Sequence, residues 1–183
     1  VLGAGKDCPI VYYITHSTGI GGALVVDGKV VSGRKGYAGE IANIIVKDNG
    51  KKYNYLNRGA VENEASGTAI ARMGKEEIGG EIESAIDVFN LARHGDERAL
   101  DILDRISKDL AQAMADIAHV CDPHIFVIGG GCSNASDLYF HNVIRYYQTM
   151  VHEKMQDVPI VKAVLAEPGV IGAAMLVKSN LKK

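Results

Sequence analysis

The sequence predicts an α/β fold with a mixed sheet, and three observations support this fold class. Short runs of β-branched and aromatic residues recur along the chain, an amphipathic helix pattern lies between two of them, and the predicted element order is βββαβαβα. Because helices are interleaved among the later strands, the sheet must be mixed and covered on its faces.

Three antiparallel strands are expected at the start of the chain. Residues 9–15 form a β-branched and aromatic run, and residues 23–26 and 29–32 form two more on either side of an Asp-Gly pair. That pair suits a two-residue hairpin because both positions tolerate a positive φ. Residues 33–62 are polar and contain five glycines, which predicts a long irregular segment that carries function.

Helices and buried strands alternate in the rest of the chain. A short helix is expected over residues 66–73, and apolar residues at steps of three and four predict a long helix from near Asp96 to residues 122–123. The remaining predicted elements are a buried strand over residues 124–128, a helix capped by Ser133 or Ser136 and running through Met155, a strand over residues 159–165 and a closing helix over residues 168–177.

Composition limits the class of protein. The 183 residues are 47% hydrophobic, with 20 basic and 22 acidic side chains and a formal net charge of −2, which suffices for the core of one full-sized domain. No basic run is longer than a pair, so neither nucleic acid nor an anionic membrane is an expected partner. No segment approaches the roughly 18 apolar residues of a membrane span. Three scattered cysteines favour a reducing compartment, and the cytoplasm is the expected location.

The first residues predict that the chain is part of a longer protein. It opens on Val1, without Met or a signal-peptide pattern, and its glycine-rich start is typical of an internal segment. We expect one domain over residues 1–183, excised from a larger chain.

Two glycine clusters are candidate nucleotide contacts. In residues 15–22, backbone N–H groups and Thr18 can converge on a phosphate; a tight hairpin whose glycines only supply positive φ is the alternative. In residues 125–133 a strand runs into three glycines, and glycines at the carboxyl end of a strand let a nucleotide lie against the backbone. A structural turn explains one glycine there, but three have no obvious packing reason.

Two acids of the irregular segment are candidate sugar contacts. Glu40 and Glu62 each stand near a glycine turn, where a carboxylate can accept hydrogen bonds from two hydroxyls. The alternative for each is an exposed loop acid. The six histidines show no ligand spacing, and each is expected at the surface or the edge of the core.

Four motifs follow one another at a specific spacing. Residues 15–22 are similar to T-x-G-T-G-I-G-G, with Ser17 at the first glycine, and residues 39–43 are similar to G-E-x-G-H. Residues 59–69 are similar to G-C-x-E followed by A-S-G-T-A, and residues 127–133 supply the glycine turn. Together they resemble the ROK family of sugar kinases and sugar-sensing repressors over nearly the whole chain. The resemblance implies the ribonuclease-H-like C-terminal lobe of an actin-like ATPase, which binds ATP and sugar against an N-terminal lobe.

The resemblance also implies a reaction and its site. A sugar hydroxyl would attack the γ-phosphoryl of MgATP; glucose is the default sugar, and an N-acetylmannosamine kinase, a β-glucoside kinase and a sugar-sensing repressor are the alternatives. The general base would lie upstream of Val1, so residues 1–183 alone are expected to be inactive, and a homodimer is expected. The implied nucleotide contacts are Thr18, Gly19, Gly21, Gly129, Gly130 and Gly131, and the implied sugar contacts are Glu40, Asn43 and Glu62.

One feature of the family pattern is missing from the sequence. The family resembled here has a structural zinc site made of one His and three Cys, and the matching positions are Asn43, Tyr53, Tyr55 and Ala60. None of these side chains is a competent zinc ligand, so we predict no zinc. Tyr53 and Tyr55 are expected to pack the loop with their rings instead.

Overall fold

A five-stranded mixed sheet forms the centre of the computed structural model, which describes residues 2–165 and 170–171. Its strands are β1 (Ile10–His16), β2 (Ile20–Val26), β3 (Lys29–Val30), β4 (Ile125–Gly129) and β5 (Ile160–Lys162). The spatial order is β3-β2-β1-β4-β5, antiparallel from β3 to β1 and parallel from β1 to β5. The predicted mixed sheet is confirmed.

Five α-helices accompany the sheet in the described residues. They are α1 (Val61–Ala65), α2 (Gly67–Met73), α3 (Ala85–Arg93), α4 (Glu97–Cys121) and α5 (Ser136–Met150). One core cluster joins Tyr12 and Ile14 of β1 and Phe126 of β4 to the buried sides of α4 and α5. None of these helices is both long enough and apolar enough to cross a membrane.

The elements with strong local signals lie where the sequence predicts them. Asp27 (φ 48°) and Gly28 (φ 73°) form the hairpin turn between β2 and β3. Asp96 caps α4 by accepting hydrogen bonds from the N–H groups of Arg98 (3.0 Å) and Ala99 (3.1 Å), and Asp122 ends that helix in a left-handed conformation. Local dihedral and capping preferences are sufficient to place these boundaries.

Helix α5 differs at both ends from the helix predicted to be capped by Ser133 or Ser136 and to run through Met155. Neither serine caps it: Ser136 is its first residue after Ala135, and the Ser133 hydroxyl donates to the Gly130 carbonyl at 2.7 Å. The reason is that residues 131–135 form a 3₁₀ turn before the helix begins. The helix ends at Met150 rather than Met155, and a separate 3₁₀ turn follows. Apart from residues 170–171, the closing helix predicted over residues 168–177 lies outside the described residues.

The sequence prediction misses two helices, α1 and α3. The expected helix over residues 66–73 is preceded by α1, and Ser66 separates the two helices by accepting the Ala69 N–H at 3.2 Å. Helix α3 has no predicted counterpart, although Ser84 and Asp87 form a capping box at its start. That serine-to-acid spacing was the available signal for α3.

Candidate functional site

Residues 17–19 form a turn between β1 and β2 whose carbonyl groups are held by neighbouring atoms. Gly67 N–H donates to the Ser17 carbonyl at 2.7 Å, and Thr68 donates to the Thr18 carbonyl through both its N–H (3.2 Å) and its hydroxyl (2.9 Å). The Gly19 carbonyl accepts from the Ser17 N–H at 2.9 Å. Within the described part of the chain, the N–H groups of Thr18 and Gly19 donate to no acceptor, so both are available to an anion.

The glycines after Thr18 serve close approach rather than unusual dihedrals. Gly19, Gly21 and Gly22 all lack a positive φ, so the hairpin alternative based on positive φ is wrong for them. A Cβ on Gly19 would lie 2.5 Å from a Glu62 carboxylate oxygen, and one on Gly22 would lie 2.7 Å from the Gly39 carbonyl. Gly21 lies inside β2, away from the turn itself.

Glu62 reaches the same turn from α1. Its Oε2 accepts the Ile20 N–H at 2.8 Å across the gap that Gly19 leaves open. The side chain is half-buried, and among the described residues its Oε1 has no hydrogen-bond donor. Glu62 therefore ties the turn to α1 and keeps one carboxylate oxygen available to a ligand.

The other two predicted sugar residues lie on the loop that runs beside α1. Glu40 and Asn43 are exposed; the Glu40 carboxylate accepts the Ala42 N–H at 3.2 Å, and Asn43 Oδ1 accepts the Asn57 N–H at 2.7 Å. The Glu62 N–H donates to the Ala42 carbonyl at 3.2 Å. The fold thus brings the loop of Glu40 and Asn43 against the helix of Glu62.

The tyrosines at the zinc-ligand positions do not both pack the loop. Tyr55 is 89% exposed, so the packing expected of its ring is wrong. The Tyr53 ring stacks under the Arg72 guanidinium at 4.6 Å. Leu56, buried with Ala42 and Ala60, supplies the apolar anchor instead. Over residues 2–165 and 170–171, no group of three His, Cys, Asp or Glu side chains is arranged to hold a metal ion.

The three glycines after β4 differ in what they contact. A Cβ on Gly129 would collide with the Tyr13 hydroxyl, and one on Gly130, whose φ is +89°, would collide with the His16 carbonyl. Packing of β4 against β1 therefore requires Gly130, and a side chain at position 129 would force the Tyr13 ring to move. These contacts supply the packing reason that sequence alone did not reveal. Around Gly131 the nearest atom is Ser17 Oγ, 3.7 Å from the position a Cβ would take.

A groove of about 730 Å³ joins the two predicted nucleotide segments. It begins at the turn of Thr18, follows α2 and α3, and ends at the 3₁₀ turn after β4. Its volume falls in the usual range for a small-molecule site. The missed helix α3 supplies one wall of this groove. Residues along it include Thr18, Thr68, Ile86, Phe89, Gly131 and Asn134.

A smaller cavity of about 190 Å³ adjoins the groove and is lined by Glu62, Tyr53 and Asn54. Thr18, Thr68 and Arg72 line both spaces. Of the predicted site residues, Thr18, Gly131 and Glu62 line one or both of them. The others are outside the two linings: Gly19, Gly21, Gly129, Gly130, Glu40 and Asn43.

His16, at the end of β1, is fully buried, so its expected place at the surface or core edge is wrong. Burial lowers the pKa of this imidazole to about 4. No sequence signal marked His16, because its two hydrogen-bond partners lie 49 and 123 residues away in the chain.

The mixed sheet thus carries a groove beyond β4 and, beside the turn at Thr18, a cavity that Glu62 lines. The sequence profile of the ROK family matches residues 1–180, and the chain belongs to this family. It is 34% identical to a glucokinase of Thermotoga maritima over 98% of this chain and 62% of that protein. The chain spans about three fifths of the length of such curated relatives.

Solved structures confirm the fold class. The ROK hexokinase of Thermus thermophilus is similar with a TM-score of 0.91 and 27% identity, over 100% of this chain and 62% of that one. A ROK glucokinase of Streptomyces griseus, solved with glucose and AMPPNP, is similar with a TM-score of 0.84 and 27% identity, over 94% and 62%. The lobe therefore has the actin-like ATPase fold of ROK sugar kinases.

Proposed function

We propose that this chain is the C-terminal lobe of an ATP-dependent hexose kinase, with glucose as the preferred acceptor. The observation that carries the proposal is the meeting of the large groove and the small cavity at Thr18. Phosphoryl transfer needs donor and acceptor sites that share the position of the γ-phosphoryl group. Similarity to the Streptomyces griseus glucokinase that was solved with glucose and AMPPNP supports this assignment.

ATP would lie along the groove with its phosphates at the turn. The N–H groups of Thr18 and Gly19 would bind the phosphate oxygens, since both are available and the turn is held in place by α2. Adenosine would lie between Gly131 and the wall formed by α3. Gly21, Gly129 and Gly130 would act by shaping the strands, because each leaves room for a neighbour: the Thr15 side chain, the Tyr13 ring and the His16 backbone, respectively.

The sugar would bind on the side of the turn that faces Glu62. The available Oε1 of Glu62 would accept a hydrogen bond from a sugar hydroxyl, and Glu40 and Asn43 would contact others from the adjacent loop. The base that removes the hydroxyl proton would come from the N-terminal lobe, so we expect this lobe alone to be inactive.

A magnesium ion would enter with the nucleotide. Mg²⁺ prefers oxygen ligands, and the Thr18 hydroxyl fits that preference at the edge where the two spaces meet. When bound, the ion neutralises charge on the transferring phosphates. A zinc-free loop, a homodimer, a cytoplasmic location and the absence of nucleic-acid binding by this lobe stay predictions.

The test is a coupled kinase assay of the protein that carries both lobes, run with ATP against a panel of hexoses and N-acetylhexosamines. We expect glucose to be phosphorylated with the highest kcat/KM. Glu62→Gln keeps an acceptor for the Ile20 N–H but removes the charge, so it should raise KM for sugar more than KM for ATP. Glu62→Ala also frees the turn, and should raise both constants with a loss of kcat/KM of about 100-fold.

Glu81→Gln is the control, because Glu81 is exposed and lines neither the groove nor the small cavity; its kinetics should match wild type. If the wild-type protein phosphorylates no sugar of the panel in the presence of ATP, the kinase assignment is overturned. Wild-type kinetics in both Glu62 variants would remove Glu62 from the sugar site and leave the kinase assignment standing.

A further inference from the structure

Tyr139 of α5 is fully buried and contacts one residue that lines the nucleotide groove and one that directly precedes the turn at 17–19. Its ring stacks on that of Phe89, with centroids 6.2 Å apart and an interplanar angle of 10°. Phe89 lines the groove from α3. The Tyr139 hydroxyl is 2.8 Å from His16 Nδ1, and His16 is the last residue of β1 before the turn at 17–19.

The hydrogen-bond partners of His16 determine which ring nitrogen carries the hydrogen and which one accepts. His16 Nε2 is 2.8 Å from the Ala65 carbonyl, which can only accept, so Nε2 carries the hydrogen. Nδ1 of the neutral ring is then an acceptor, and the Tyr139 hydroxyl donates to it. His16 and Tyr139 are both fully buried, so water cannot replace either partner.

The backbone of His16 transmits this anchoring to both nucleotide segments. Gly130 packs so closely on His16 that a Cβ there would collide with the His16 carbonyl. On the other side, Ser17 and Thr18 continue directly from His16 and form the turn with the available N–H groups. The position of the imidazole therefore affects the turn and the start of the glycine segment together.

We propose that Tyr139 is a positioning residue for the nucleotide: its hydroxyl holds His16 and the turn at 17–19, while its ring supports Phe89 in the groove wall. The proposal rests on the proposed function, since the site it serves is the ATP groove. Tyr139 contacts no substrate itself and acts through these two neighbours.

The chain offers a matched control on the same helix. Tyr147 is also fully buried in α5, and its hydroxyl has no hydrogen-bond partner among the described residues. Tyr139→Phe and Tyr147→Phe each remove one buried hydroxyl and keep the ring. Of the two variants, only Tyr139→Phe leaves a buried acceptor, His16 Nδ1, without its donor.

We expect Tyr139→Phe to raise KM for ATP about tenfold and to leave KM for sugar within about twofold of wild type. Tyr147→Phe should change neither constant. Equal values of KM for ATP in wild type and Tyr139→Phe would overturn the proposal, as would equal increases in both variants.

A second measurement needs no nucleotide. In ¹H–¹⁵N spectra, the His16 ring should show the tautomer with hydrogen on Nε2, and the amide resonances of Thr18 and Gly19 should shift in Tyr139→Phe but not in Tyr147→Phe. Unshifted resonances in Tyr139→Phe would overturn the proposal. If the wild-type protein phosphorylates no sugar, the kinase assignment fails, and these resonances still decide whether Tyr139 holds the turn.

Discussion

Neighbouring glycines in this lobe have different physical roles. Gly130 has a left-handed φ and lies against the His16 backbone, whereas a Cβ on Gly131 would make only an ordinary contact with Ser17 Oγ, and Gly131 lines the groove. The sequence does not distinguish these two glycines, but their surroundings do: Gly130 is required for packing, and Gly131 lies at the surface of the groove.

Gly130→Ala tests this difference. Alanine at a φ of +89° is strained, and its Cβ would collide with the His16 carbonyl. We expect the free energy of unfolding to fall by about 2–4 kcal/mol. Gly131→Ala, measured beside it by urea denaturation, should cost less than about 1 kcal/mol. Similar losses in the two variants would contradict the separate roles.

At the scale of elements, buried charges join the irregular loop to two helices. Lys47 Nζ lies 2.6 Å from Asp109 of α4 and 3.5 Å from Glu64 of α1, and both carboxylates are almost fully buried. The Lys51 N–H donates to the second oxygen of Glu64 at 2.5 Å. Burial raises the pKa of Asp109, and the Lys47 ammonium opposes that rise. This network holds the loop beside the helix that carries Glu62.

Lys47→Met should destabilise the protein because it leaves two buried carboxylates without their cation. Since the Lys47 side chain is 40% exposed, we expect a loss of about 2 kcal/mol, below the usual value for a fully buried pair. Urea denaturation at pH 7 measures it. Lys51→Met is the control. The Lys51 ammonium is 4.0 Å from an exposed Glu76, so this variant should lose less than about 0.5 kcal/mol of unfolding free energy.

The same variant has an expected pH dependence. Without Lys47, the folded protein binds a proton at Asp109 more readily than the unfolded chain, because burial raises the pKa of that carboxyl. The difference in free energy of unfolding between wild type and Lys47→Met should therefore become smaller as the pH falls toward 4. A difference that stays constant from pH 7 to pH 4 would contradict a network based on charge.

For the whole molecule, the buried imidazole of His16 links stability to pH. Its pKa is about 4 in the folded state against an ordinary value of 6.5, so between these two values the unfolded chain binds the proton and the folded protein does not. The contribution of His16 to the free energy of unfolding is fully present above pH 6.5 and is lost as the pH falls toward 4. The expected loss from pH 7 to pH 5 is about 2 kcal/mol.

His16→Gln removes the titrating ring, so its free energy of unfolding should fall less steeply between pH 7 and pH 5 than that of wild type. Urea denaturation at pH 7, 6 and 5 compares the slopes. His141→Gln changes an exposed histidine of α5 and should keep the wild-type slope. Equal slopes in wild type and His16→Gln would show that His16 is accessible to protons in the folded state.

Much of the fold could be predicted from sequence, whereas only part of the site could. The hairpin at Asp27 and the ends of α4 at Asp96 and Asp122 follow from local dihedral and capping preferences, and the spacing of the motifs was sufficient to identify the family. Helix α3 was missed because a short helix with a weak apolar pattern has little signal beyond its capping box.

Contacts between distant segments belong to the tertiary structure alone. Glu62 bonds Ile20 across 42 residues, and His16 bonds Tyr139 across 123. A side chain's partner at such a separation depends on how strands and helices are arranged in space, which no local pattern encodes. Motifs and turns could thus be read along the chain, while the burial of His16 and the meeting of two cavities at Thr18 were decided only when the sheet and helices came together.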